Sequence, residues 1–94
     1  MRLDQNQINM IKTAAQAEWG SDVQVTLFGS RTDDNAKGGD IDLYVETAKP
    51  NLMSTIRCKV ELKDRLDIPV DLIVKRYGDQ SPIALIAKSE GVVL

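Results

Sequence analysis

The chain has 94 residues, 43% of them apolar and 28% charged, with a formal net charge of −2, one cysteine and no histidine. That is one domain near the lower end of autonomous folding, with the composition of an ordinary soluble globular protein. The absence of histidine excludes a histidine base, a catalytic triad and a histidine-ligated zinc, so any acid–base or metal chemistry must rest on carboxylates.

Asp4 to Trp19 reads as an amphipathic helix, capped by Asp4 with Gln7 three residues on. Ile8, Ile11, Ala15 and Trp19 recur at three- and four-residue spacing, and Gly20 is a natural stop. Val23 to Phe28 follows as a first strand, Val23, Val25 and Leu27 alternating with Gln24, Thr26 and Phe28, and ends at Gly29. Ser30 and Arg31 open a short helical turn before a polar loop, Thr32 to Gly39. Asp40 to Glu46 is the second strand, broken by Lys49-Pro50-Asn51.

A second helix over Leu52 to Leu66 carries Leu52, Ile56 and Val60 four apart as its apolar stripe, with charges elsewhere as the solvated face. Asp67-Ile68-Pro69 turns into a third strand, Val70 to Lys75, with Val70, Leu72 and Val74 on one face and Asp71 and Ile73 on the other. Ser81 as cap and Pro82 at the first position begin a last helix that covers Ile83, Leu85 and Ile86 and stops near Gly91. Val92-Val93-Leu94 suits a small terminal edge strand, open to pairing with another chain. No repeat or linker divides the chain, so residues 1–94 form a single domain. The fold class expected is α/β (α+β): a small mixed sheet of three to four strands with helices packed mainly on one face.

The stretch from Leu27 to Val45 carries the chemistry. On an extended strand Asp40 and Asp42 point the same way, roughly 6.6 Å apart at Cα, while Ile41, Leu43 and Val45 fill the other face. Two carboxylates side by side repel unless a cation lies between them. Gly29-Ser30, after an apolar strand, leaves backbone N–H groups and a hydroxyl to hold a phosphate. Asp71 is a lone charge in an apolar strand, costly to bury without compensation. If its strand neighbours the Asp40–Asp42 strand, three carboxylates converge and suit Mg²⁺, a hard cation that takes phosphate oxygens as its other ligands. Two ions ~3.5–4 Å apart clamp the attacking and leaving oxygens of a phosphoryl displacement. Asp40 and Asp42 would then ligate both ions, with Asp71 on the catalytic one and serving as base for the incoming hydroxyl.

Plainer readings stand beside these. A D-x-D on an amphipathic strand is often its solvent face, and Gly-Ser after a strand is often only a turn. The joint pattern favours the site. Trp19 and Phe28 read as core rather than a base-stacking platform, Lys37 as a solvated loop cation ahead of a phosphate contact, and Cys58 as an inert structural residue suited to a reducing cytoplasm. Tyr44 shares the aspartates' face and either lines the site or contacts a partner.

The set Gly29-Ser30, then Asp40-Ile41-Asp42, then Asp71, with the closing Glu90-Gly91-Val92-Val93-Leu94, resembles the minimal nucleotidyltransferases (MNT) of the DNA polymerase β-like superfamily over nearly the whole chain. The resemblance implies that superfamily's fold, with Gly29, Ser30 and Gly39 holding a nucleoside triphosphate and Asp40, Asp42 and Asp71 binding Mg²⁺. Arg31 would help with phosphate charge or is simply a surface cation. It further implies transfer of a nucleoside monophosphate, AMP from ATP, to a hydroxyl. The expected partner is an all-helical HEPN-type toxin, silenced by AMP addition to a tyrosine, with this chain as the antitoxin. A non-catalytic partner-masking module and the catalytic subunit of a two-chain small-molecule (aminoglycoside-type) nucleotidyltransferase remain as alternatives. The charge of −2 argues against direct nucleic-acid binding. Met1-Arg2-Leu3-Asp4 is no signal peptide and no apolar run approaches the ~18 residues of a membrane span, so a cytoplasmic location is expected; the edge of the terminal strand leaves a homodimer or hetero-oligomer open, and the sequence does not specify the oligomeric state.

Overall fold

The computed structural model describes residues 3–29 and 40–94. The elements run α1 (Gln5–Trp19), β1 (Gln24–Phe28), β2 (Ile41–Thr47), α2 (Leu52–Leu66), β3 (Val70–Arg76), α3 (Pro82–Glu90) and β4 (Val92–Val93). Four strands form one mixed sheet in the order β3-β2-β1-β4. β1 is antiparallel to β2 and to β4, while β2 and β3 are parallel and joined by the α2 crossover. The match to expectation is close, with strand boundaries moved by one residue. Among the described residues no helix is long and apolar enough to cross a membrane.

Local chemistry explains the ends. Asp4 and Gln7 form a reciprocal capping box, Gln7 N donating to Asp4 Oδ1 at 2.8 Å and Asp4 N to Gln7 Oε1 at 3.0 Å. Asn51 caps α2 by accepting from Ser54 N at 3.1 Å, and Asp67 closes that helix in the left-handed conformation. Ser81 occupies the N-cap of α3, but its hydroxyl donates to Asp79 instead of capping the helix.

Strand alternation divides the residues between two cores. Val25, Leu27, Ile41, Leu43, Val45 and Val70 meet α1 and α2 on one face. On the other, α3 lies over Tyr44, with Phe28 and Ile73 alongside. Two helices thus share one face and the third covers part of the opposite one.

Two helical faces depart from the sequence reading. In α2 the buried residues are Ser54, Cys58 and Leu62, also four apart, whereas Leu52, Ile56 and Val60 are 74%, 45% and 56% exposed. Both stripes obey helical spacing. Ser54 and Cys58 are small and let that part of the helix approach the sheet and α1 closely, Leu62 fills the core a turn further on, and hydropathy alone favours the wrong side. The same holds for α3, where Ala84 and Ala87 are buried over Tyr44 and Leu85 and Ile86 are exposed.

Gly91 is where α3 turns into β4 against β1. A Cβ there would lie 2.4 Å from the Ala87 carbonyl oxygen and 2.8 Å from that of Leu27, both backbone atoms that cannot swing aside. Gly91→Ala should therefore destabilise the fold by ~1–3 kcal/mol, the scale of overpacking, measured by urea denaturation. Cys58 offers a second check. Burial pushes its thiol up to about 11, so it should react with an aromatic disulfide reagent at mildly alkaline pH at least about a hundredfold slower than an exposed cysteine until the chain unfolds.

Candidate active site

The sheet register assembles the site. Phe28 pairs with Asp42 across β1 and β2, which puts Gly29 at the mouth of the sheet beside that carboxylate. Gly29 has φ +78°, and a Cβ built on it would lie 2.3 Å from Asp42 Oδ2. Only a residue without a Cβ lets the backbone come so near. On the other side, the parallel ladder pairs Asp42 directly with Asp71. Neighbouring strands lie ~4.8 Å apart, so the two carboxylates emerge side by side on one face. The Ile41 N–H donating to the Pro69 carbonyl at 2.9 Å fixes where this parallel pairing begins.

Asp42 is half-buried and Asp71 exposed. The Asp42 carboxyl is held above its ordinary range, first by burial, then by the Asp71 charge and a side-chain hydrogen bond with Asp71, and last by the Asp40 charge. Asp40 stands exposed, just ahead of β2. Among the described residues no three acidic, histidine or cysteine side chains close around a single point that could hold a metal. The structure brings Asp42 and Asp71 together and leaves Asp40 flanking them. Ser30, Arg31 and Gly39, the other expected phosphate-binding residues, lie outside the described residues, as does Lys37.

The donor chemistry suits a divalent cation. Hard carboxylate oxygens of like charge sit on adjacent strands, and Asp42 resists ionising because of its burial and the neighbouring Asp71 and Asp40 charges. A bound Mg²⁺ would relieve that repulsion.

Behind the aspartates the same face is closed by α3. Tyr44 is 1% exposed and packs with Ala84 and Ala87, so it belongs to the core and touches no solvent. Its hydroxyl is buried without a hydrogen-bond partner among the described residues, and burial, then the Glu46 charge, pushes it up to about 12. Glu46, the next residue along on this face, is buried yet paired. It receives Lys88 Nζ at 3.0 Å and the Gly78 N–H at 3.1 Å. This ion pair pins α3 across the sheet and was missed in the sequence. The only available signal was the period-two continuation Asp42, Tyr44, Glu46.

Comparison with known proteins bears on the fold and the family. The family model described as a nucleotidyltransferase domain matches residues 8–94. No curated protein matches the chain. Among solved structures, a chain in a complex of a tri-AMPylated Shewanella oneidensis HEPN toxin with an MNT antitoxin superposes with a TM-score of 0.74 at 20% identity, over 97% of this chain and 71% of that one. A chain of an MntA-HpeT toxin–antitoxin structure bearing a Tyr-to-Ala mutation gives 0.69 at 21% identity, over 98% and 71%. Another MntA-HpeT structure, a double Asp-to-Glu mutant, gives 0.72 at 18% identity, over 97% and 71%. At these identities the likeness establishes a shared fold, while the family match runs from α1 to the last residue: the chain belongs to the nucleotidyltransferase domain family.

Proposed function

We propose that this chain is a Mg²⁺-dependent nucleotidyltransferase that moves AMP from ATP to a hydroxyl of a partner protein, as the antitoxin of an MNT/HEPN pair. The observation that carries the catalytic part is the Asp42–Asp71 pairing across β2 and β3 with the Gly29 backbone against Asp42. Family membership supports the nucleotidyl chemistry, and the complexes formed by the structural relatives support a toxin partner.

In this reading Asp40, Asp42 and Asp71 hold the metal, two ions in the full site. Mg²⁺ would supply charge neutralisation on the triphosphate. Gly29, at the end of β1 beside Asp42, would hold the triphosphate together with Ser30, Arg31 and Gly39. The acceptor hydroxyl oxygen forms a bond to the α-phosphorus, the bond to the bridging oxygen breaks, and pyrophosphate leaves. Asp71, exposed on an edge strand, takes the hydroxyl proton. Positioning and electrostatics do the work, with no covalent enzyme intermediate.

The test is incubation with Mg²⁺ and ATP labelled in the adenine moiety, with and without the protein encoded beside it. Label on the neighbour's tyrosine supports the reading. Tight association without label on either protein supports a masking module, and label on an aminoglycoside alone supports a small-molecule enzyme.

A further inference from the structure

The exposed stripe on α2 is a face that the fold itself leaves uncovered. Leu52, Met53, Ile56 and Val60 are 74%, 57%, 45% and 56% exposed on a helix whose other side buries Cys58 and Leu62. Their spacing is that of a coiled-coil seam. With Met53 and Val60 at the a positions, Ile56 falls at d, Leu52 and Lys59 at g, and Arg57 and Asp64 at e. Cys58 falls at f, the position farthest from a seam, which agrees with its burial against the rest of the domain.

The charges around the seam complement one another. In a parallel pair each g residue meets the e residue five positions on in its mate. Lys59 then meets Asp64 of the other copy, twice by symmetry, and the Leu52 side chain meets the aliphatic stem of Arg57. Lys59 and Asp64 form no ion pair within the chain among the described residues, whereas Arg57 and Arg65 are already neutralised by Glu18 at 3.0 Å and Glu61 at 2.7 Å. Lys63 takes the second d position, at the end of the seam, where a long side chain lays its stem on apolar surface and keeps its ammonium in water.

We propose that two copies of this chain associate through a parallel, two-fold pairing of their α2 helices. Three apolar seam positions make a contact below the ~1,200 Å² of stable interfaces, so the dimer dissociates in the micromolar range and weakens with salt. Because α2 lies on the sheet face opposite Asp42 and Asp71, the pairing leaves both acidic sites open and outward. The inference does not rest on the catalytic reading. An inactive chain could dimerise, and an active one could be monomeric.

Sedimentation of the full chain over the micromolar range tests it. The wild type should be a concentration-dependent dimer and Ile56→Asp a monomer, with equal thermal midpoints at concentrations below the dimer's dissociation range, since the position is exposed in the single chain. Lys59→Glu should weaken the dimer about tenfold, and Lys59→Glu with Asp64→Lys should restore it. Orientation is read by oxidation: Val60→Cys should cross-link to its own counterpart, as a parallel pairing requires. A wild type that stays monomeric, a dimer insensitive to Ile56→Asp, or a charge swap no better than the single change would overturn the proposal. So would loss of a different protein partner in Ile56→Asp when the chain alone is monomeric, which would assign the stripe to that partner.

Discussion

Replacing Asp42 by Asn should lower nucleotidyl transfer by about 10³-fold or more while making the ligand-free protein more stable. Both effects come from one arrangement. Asp42 faces Asp71 across the parallel ladder, is half-buried, and resists ionising because of burial and the two neighbouring carboxylates. Its folded pKa lies above its unfolded value, so at neutral pH its ionised form costs stability. That cost is full above the folded pKa. It shrinks as pH falls through that value and is gone below the unfolded one, where both states carry the proton. The amide substitution removes a charge and little volume, and it can still hydrogen-bond to Asp71. The gain should be ~0.5–1 kcal/mol, the size of a cross-strand pair effect, or about 2–8 °C in Tm for a chain of this length.

The gain should appear at neutral pH and vanish in acid. Saturating Mg²⁺ and ATP should reverse the order, since only the wild type gains ~2.7 kcal/mol at a hundredfold excess over Kd. Thermal melts across pH, with and without ligand, read all of this. An Asp42→Asn protein with near-normal transfer rate would reject the metal role. One that is less stable than wild type at neutral pH would reject the repulsion.

Most of this arrangement was legible in the chain. Period-two alternation in β1, β2 and β3 assigned each residue to a face, and Asp71 inside Val70–Val74 was conspicuous because an apolar strand carries a charge only for a reason. The Asp42↔Asp71 register depends on which strands pair, and a three-residue signal on each strand does not encode pairing; the α2 crossover between neighbouring parallel strands supplies it. What hydropathy misjudged were the inner faces of α2 and α3. Ser54, Cys58, Ala84 and Ala87 are chosen for size, so the larger Leu52, Ile56, Val60, Leu85 and Ile86 look like core and are not. The Glu46–Lys88 pair was hidden for a related reason. A buried carboxylate is tolerable only with its partner in place, and that partner comes from a helix 42 residues away in the chain.

Gly29→Ala should separate activity from stability, and the contrast with Gly91→Ala makes the case. At Gly91 the obstructing atoms include two backbone carbonyl oxygens, so the fold as a whole must give way. At Gly29 the nearest atom is Oδ2 of Asp42, the tip of a short side chain, which can rotate off the added methyl. The stability loss is then mainly that of a non-glycine residue at φ +78°, ~1–2 kcal/mol. The carboxylate that must move, however, is the one proposed to hold the metal, and a displacement of about 1 Å in such a group costs about 10²-fold in rate. Transfer per folded molecule should fall by at least that factor in Gly29→Ala and stay near normal in Gly91→Ala. A double-mutant cycle isolates the contact. In an Asp42→Ala background the added methyl at Gly29 meets no carboxylate, so Gly29→Ala should cost only its backbone strain. Equal stability losses in both backgrounds, with transfer rate preserved in Gly29→Ala, would mean that this glycine serves the turn and not the acidic site.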